Sequence, residues 1–205
     1  MDDQSSNLTV CACVLAAGTS TRFGDSKLVQ QFRGKSLIQH ALLATHAACG
    51  GSVYLVVGHD QHCVVEAAAG LYDNIVMNNR HQDGIGSSIA AGVGACSENA
   101  AAILIVLADQ PLITAAHLKN LIATWSGDDS EIVASTFDGN TGPPILFPEK
   151  AFPALSELRG DSGAKKLLEN NAFVVRSVDC PAAGVDVDTP ADLRRLDHDY
   201  VLSKK

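Results

Sequence analysis

The segment LAAGTSTRFGDSK, residues 15–27, sets a glycine, Gly18, a run of small hydroxylated residues and two cations directly behind an apolar stretch that begins at Val10. Glycine at position 18 lets the backbone approach a ligand with no Cβ in the way. Successive NH groups of such a loop form an anion-binding concavity. Arg22 can fork two phosphate oxygens, and Lys27 adds a compact positive charge. The composition is that of a phosphate cradle. It is neither common kind. GxxxxGK[ST] fails because Gly24 is followed by Asp25. GxGxxG fails at Thr19 and Ser20, and in GIGSSI (84–89) Ile89 stands where the third glycine belongs. The plain alternative is a strand-to-helix connection carrying surface charges.

Carboxylates close other apolar runs. LADQPLI (107–113) ends the most hydrophobic stretch of the chain in Asp109. A charge at a buried strand end is tolerated when it is paired or binds metal. Mg²⁺ takes one or two carboxylates and completes its shell with substrate phosphates. In GVDVDTPADL (184–193), Asp186 and Asp188 alternate with valines, which predicts two carboxylates on one face of a short strand. Their plain alternative is a solvated turn with a helix cap. A glycine loop, two cations and carboxylates at strand ends together suit nucleotidyl transfer. There, an acceptor oxygen attacks the α-phosphorus in line and pyrophosphate leaves. A phosphate acceptor is already ionised, so no general base is needed.

Elements must hold these groups at one place. Strand and helix signals alternate: strands over 9–16, 52–58, 74–79, 101–109, 131–135 and 144–147, then FVVRSV and VDVD. Helical spacing lies between them, over SLIQHALLATHAAC, QHCVVEAAAGL, SSIAAGVGAC, LKNLIATW, GAKKLLEN and PADLRRLD. Thr114 and Asp161 are candidate caps, and Pro190 suits a first helical turn. The expected fold is a three-layer α/β/α, Rossmann-like, mostly parallel sheet with right-handed crossovers. No repeat or linker divides the 205 residues, so we expect one domain over 1–205 with its core at about 10–197. Ligands of such sheets bind outside the carboxyl ends of the strands, where Gly18, Gly58, Asn79 and Asp109 fall.

Composition bounds the rest. Hydrophobic residues make up 46% and aromatics 5%, so the core is built from Ala, Val, Leu and Ile. A net charge of −8 excludes nonspecific nucleic-acid binding. The six cysteines show no CxxC spacing and read as reduced thiols, with metal or redox use the alternative for Cys11 and Cys13. The acidic start MDDQSSNLTV is not a secretory n-region, and no apolar run is long enough to span a membrane, so the expected location is cytoplasmic.

Five stretches, in order, resemble one family. LAAGTSTRFGDSK looks like the LAAGxSxRfGxxK signature of MobA-like NTP transferases, DGIGSSI like their small-residue motif and LADQPL like their metal motif. GPPILFPEKAFPALSELRGDSGAKKLL looks like their acceptor-side segment, and DVDTPADL like their closing motif. Within that family the chain is most similar to the molybdenum cofactor nucleotidyltransferases of the cytidylyl (MocA-like) branch. The guanylyl branch usually opens with LAGG, and the extra Cβ of Ala17 would narrow a base pocket toward a pyrimidine. The resemblance implies transfer of CMP from CTP to the phosphate of molybdopterin, with Mg²⁺ or Mn²⁺ as cofactor. Matching positions are Gly18, Arg22 and Lys27 for the triphosphate, Asp109 for the principal metal contact, and Asp186 or, more weakly, Asp188 for the second. Leu15, Ala16, Ala17, Gly58, Asn79, Gly84, Ser87 and Ser88 match nucleoside-facing positions. Pro143, Pro144, Gly160 and Asp161 match the acceptor side, although the prolines alternatively only shape a strand entry. The resemblance also implies transient contact with a molybdoenzyme or its chaperone. The alternatives are GTP as donor, a sugar or polyol phosphate as acceptor, or a non-catalytic nucleotide-binding chaperone.

Overall fold

The computed structural model describes residues 9–18, 26–58, 61–96, 98 and 100–203. Its central sheet has seven strands: β1 (Val10–Leu15), β4 (Val53–Gly58), β5 (Asn74–Asn78), β6 (Ala102–Leu107), β7 (Glu131–Phe137), β8 (Asn140–Pro148) and β9 (Val174–Asp179). They lie in the order β5-β4-β1-β6-β8-β7-β9, and a small ribbon pairs β2 (Gln31–Phe32) with β3 (Lys35–Ser36). β5, β4, β1 and β6 form a continuous parallel block, and β7 pairs parallel with β9. β8 is antiparallel to both neighbours, so the sheet is mostly, not wholly, parallel.

Alternation along β1 explains the layering. Val10, Ala12 and Val14 point into one apolar layer, under α1 (Leu37–Ala48), α2 (His62–Ala67) and α4 (Ala115–Thr124). Cys11, Cys13 and Leu15 point into the other, under α3 (Ile85–Cys96), α5 (Phe152–Ser156) and α6 (Lys165–Leu168). Cys11 and Cys13 thus share a face as the two-residue period requires, and both are free thiols. A third cluster joins Phe32, Leu37, Val187 and Leu196, tying the β2–β3 ribbon to the last helix, α7 (Pro190–Ser203). No helix among the described residues is long and apolar enough to cross a membrane.

Two local expectations give way. The strand expected at VDVD does not form. Val185 and Val187 still turn into the third cluster, and Val187 N donates to Asp109 O at 3.0 Å, but residues 185–188 join no ladder. Asp161 caps no helix: it lies in the short turn Gly160–Ser162, and α6 begins after Ala164 without a side-chain cap. The strand expected over 144–147 runs longer, from Asn140, as the return arm of a hairpin turned by Asp138 and Gly139 at φ 46° and 75°. Prolines disguise it. Lacking NH groups they cannot donate to a ladder, and the pairing steps from Ala134↔Ile145 to Ser135↔Gly142, passing over Pro143 and Pro144 as a bulge. The Ser135 hydroxyl donates to the Pro144 carbonyl at 2.8 Å within that bulge, while His117 Nε2 lies 2.8 Å from the same hydroxyl. That carbonyl accepts the only hydroxyl proton, so His117 Nε2 is the donor to Ser135. Elsewhere Thr114 caps α4 by accepting from His117 N at 3.2 Å, as expected.

Glu131 opens β7 with a buried carboxylate that accepts from Ser126 N at 2.8 Å and pairs with Arg176 Nε of β9. Burial opposes its charge, but these contacts outweigh it and hold the carboxyl below its ordinary value. The unfolded carboxyl titrates near about 4.3. The stabilisation is therefore complete above that pH and is lost as the pH falls through the folded value. We expect Glu131→Gln to cost about 1–2 kcal/mol at pH 7, with the half-exposed Arg176 contributing little. The gap between the two urea midpoints should close as the pH is lowered below 4; a gap independent of pH would contradict the assignment.

Candidate functional site

Lys27 sits in a helical turn, Lys27–Val29, anchored by Leu28, which is buried in the core. Its ammonium bridges two carboxylates: Nζ lies 2.7 Å from Asp109 Oδ2 and 2.9 Å from Asp188 Oδ1. These partners are 82 and 161 residues away. Asp109 arrives just past β6, next to the end of β1 in the parallel block. Asp188 arrives because Val187 is pinned in the third cluster and to Asp109 O. Only 13% of the Lys27 side chain is exposed. Burial alone would lower its pKa, but Asp109 and then Asp188 outweigh that and raise it.

Asp186 points to the same place by another route. Gln110, 2% exposed, donates from Nε2 to Ala183 O at 2.9 Å and to Asp186 Oδ1 at 3.0 Å. Asp186 keeps an exposed edge, yet loss of water on its inner side, and then the charge of Asp109, push its pKa up. Two carboxylates repelling each other, with the Gln110 Oε1 buried nearby and without a hydrogen-bond partner, form a donor set that fits a divalent cation. Among the described residues no three His, Cys, Asp or Glu side chains cage an ion by themselves. A Mg²⁺ or Mn²⁺ ion here would draw the rest of its oxygen shell from phosphates and water.

A cavity of about 330 Å³ opens at Lys27 and Asp109; Asp186 and Asp188 are not part of its wall. Leu15, Ala16, Ala17, Gly18, Lys27, Gly84, Ser88, Asp109 and Asp161, all singled out from sequence, line it. A second cavity of about 410 Å³ shares Ile85, Leu107 and Asp161 with the first, and Pro143, Ile89, Ile105, Ile145 and Phe147 give it apolar walls. The segment around 160 closes in because α3 starts with glycines. A Cβ on Gly84 would lie 2.4 Å from Asp161 Oδ1, and one on Gly86 would lie 2.9 Å from Gly160 O.

Other singled-out residues stand elsewhere. Arg22 lies outside the described residues. Asn79 is exposed and off the cavity wall. Asn78, one position earlier, is buried and donates to Ser87 Oγ at 2.9 Å and Ser88 Oγ at 3.0 Å. The strand ends at Asn78, one residue before the expected 79, and the inward asparagine braces α3 without lining the cavity. Ser87 is fully buried and donates to the Arg80 and Gly84 carbonyls, so it braces the wall without lining it. Gly58 lies behind the His81 ring, Gly160 behind Gly84, and Pro144 in the β8 bulge. Sequence reasoning passed over Gln110, His81 and Gln82. Gln110 was legible as the polar neighbour of Asp109 on a strand end; His81 and Gln82 sit in a polar turn with no pattern to mark them.

Residues 12–177 match the model of the MobA-like NTP transferase domain. The chain belongs to that family. It is a nucleotidyltransferase of the nucleotide-diphospho-sugar transferase fold. It is 32% identical to the purine catabolism protein PucB of Bacillus subtilis, covering 87% of this chain and 91% of that protein. It is 31% identical to the nicotine blue oxidoreductase of Paenarthrobacter nicotinovorans, covering 91% and 96%. Among solved structures, the manganese complex of Rv0371c from Mycobacterium tuberculosis H37Rv is 27% identical with a TM-score of 0.75, covering 93% of this chain and 98% of that one.

The Lys27 bridge predicts a measurable coupling. Lys27→Met leaves three carboxylates facing one another and should cost about 1–2 kcal/mol in metal-free buffer. Adding Asp109→Asn should recover about 1 kcal/mol of it. Chemical denaturation of the four proteins of that double-mutant cycle checks this, and additive effects would count against the bridge.

Proposed function

We propose that this nucleotidyltransferase moves CMP from CTP to the phosphate of molybdopterin, releasing pyrophosphate. The observation that carries the reading is the pair of joined cavities, one charged around Lys27 and Asp109, the other apolar, meeting at Asp161, Ile85 and Leu107. A triphosphate suits the charged end. Gly18 leaves the backbone open there, with no described residue within 4 Å of where its Cβ would be, and Lys27 supplies charge. Arg22 is assigned the same task from sequence. Asp109 and Asp186 would hold the divalent ion, with Asp188 as the other candidate. When bound, the ion neutralises charge on the phosphate oxygens.

Lys27 then has two sets of partners. Without ligand it neutralises Asp109 and Asp188. With a triphosphate bound, Asp109 and Asp186 would be available to hold the ion and the Lys27 ammonium would face phosphate oxygens, opposing the charge that grows as the acceptor oxygen attacks the α-phosphorus and pyrophosphate leaves. The acceptor phosphate is ionised, so no side chain need remove a proton from it.

The choice of substrates rests on shape and polarity. Ala17 is buried and carries its Cβ at the wall of the first cavity, a restriction that favours the smaller pyrimidine of CTP over guanine. The second cavity is walled mainly by Ile, Leu, Pro and Phe. A flat ring system buries well against such walls, whereas the hydroxyls of a sugar or polyol phosphate would lose water without gaining partners.

Pyrophosphate release tests the proposal. Purified protein with Mg²⁺, CTP and molybdopterin should turn over, GTP should serve poorly, and sugar or polyol phosphates should not serve as acceptors. Asp109→Asn should lower kcat by at least about 10²-fold while the fold persists. Near-normal turnover of that variant would remove Asp109 from the metal role, and turnover with polyol phosphates alone would overturn the acceptor.

A further inference from the structure

His81 lines the cavity from the turn after β5, at the end away from Lys27 and Asp109. Parallel strands lie about 4.8 Å apart, so in the order β5-β4-β1-β6 the turn after β5 is about 10 Å from the end of β1 and further from Asp109 beyond β6. His81 is in that turn, within His81–Asp83, and lines the same cavity as Lys27 and Asp109. A triphosphate held at the charged end puts its base at this distance.

The ring is held on two sides. Its inner edge rests on Gly58, the last residue of β4. A Cβ there would lie 2.9 Å from His81 Cγ, 3.0 Å from Cδ2 and 3.2 Å from Nδ1, so only glycine leaves the ring its place. Nδ1 lies 3.3 Å from the carbonyl oxygen of Asn78. A carbonyl only accepts, so Nδ1 carries the proton, and in the neutral ring Nε2 is left as a bare acceptor on the outer edge. No described residue donates to it. Asn78 is itself fixed, by Ser87 and Ser88 from α3 and by its own Oδ1 accepting from Arg80 N at 2.9 Å. The acceptor is therefore pre-placed, with little ordering left to do on binding.

We propose that His81 is a specificity-determining residue: its Nε2 accepts a hydrogen bond from the exocyclic amino group of the nucleobase, selecting an amino-bearing pyrimidine over its keto counterpart. A keto oxygen at that point would face the nitrogen lone pair and leave two acceptors opposed. A site built to pair with a polar group rejects the analogue lacking it more strongly than an apolar pocket rejects a size change. The inference rests on the nucleotide-donor reading above but not on the identity of the acceptor.

Calorimetric binding of CTP and UTP with Mg²⁺ tests it without turnover. The native protein should prefer CTP by tenfold or more. His81→Leu should remove most of that ratio by weakening CTP while UTP changes by less than threefold. His81→Gln, whose carbonyl oxygen can reach the same point, should keep part of it. Gly58→Ala, which displaces the ring and leaves it present, should lower the ratio as His81→Leu does. Equal weakening of both nucleotides by His81→Leu would mean that the ring only supports the wall, and equal binding of CTP and UTP to the native protein would also overturn the proposal. A native protein that bound none of the triphosphates would instead sink the donor reading itself, and this inference with it.

Discussion

The site is organised by one ammonium group. Lys27 reaches it from the turn after the first loop, Asp109 from the end of β6, and Asp188 from the segment before the last helix. No two of these are close in the chain. Bringing the carboxylates together without a cation would set like charges side by side at a partly dry strand edge, where their interaction is strong. The bridge to Lys27 holds that arrangement together. Apolar packing then sets its geometry: Leu28 anchors the lysine, and Val187 fixes the aspartates on either side of it. The Val187 N–Asp109 O bond joins the two acidic segments directly.

A gradient of charge along the sheet edge follows from this concentration. Around Lys27 the cavity carries an ammonium and carboxylates; toward His81 it carries neutral polar groups and glycines, with the Asp161 carboxylate against Gly84. The His81 end is rigid for a different reason. Asn78, Ser87 and Ser88 satisfy one another and the carbonyls of Arg80 and Gly84, so the turn that bears His81 is held by a closed hydrogen-bond network. Fully satisfied networks of this kind fix one arrangement. The glycines at 84 and 86 then let the loop around Gly160 close against the start of α3, which sets the apolar cavity beside the charged one.

Much of this was legible in the sequence, for identifiable reasons. Apolar runs and their glycine or aspartate ends placed β1, β4, β5 and β6 and the edge that carries the site, because a parallel block has all its carboxyl ends on one side. The alternation in VDVD correctly separated two inward valines from two outward aspartates; it failed to say that the segment pairs with no strand, since alternation reports facing, not ladder partners. β8 was seen only in part because Gly142, Pro143 and Pro144 break the strand signal, and only the bulge opposite Ser135 accommodates them. Asn79 was expected at the cavity, but it is Asn78 that faces inward and neither lines the wall; adjacent identical residues at a strand end give no local sign of which one is buried. Gln110 and His81 are set by tertiary neighbours, Asp186 and Gly58, that no spacing rule connects to them.

The separation of charge from shape has a consequence for how such a scaffold can vary. On the proposed reading, the phosphate chemistry would depend on Lys27, Asp109 and the aspartates near 186, all held by core packing and by one another. Base contacts would depend on a turn braced by small polar residues, and acceptor contacts on an apolar wall and a loop admitted by two glycines. A substitution at Gly58 or His81 would therefore alter what binds without disturbing the ion bridge, because among the described residues no hydrogen bond of the Asn78 network reaches Asp109 or Asp188. A substitution at Lys27 does the reverse: it unbalances the carboxylates and leaves the far end of the cavity intact. Couplings between well-separated sites with no shared partner are small, so donor selectivity and transfer chemistry are independently adjustable in this fold.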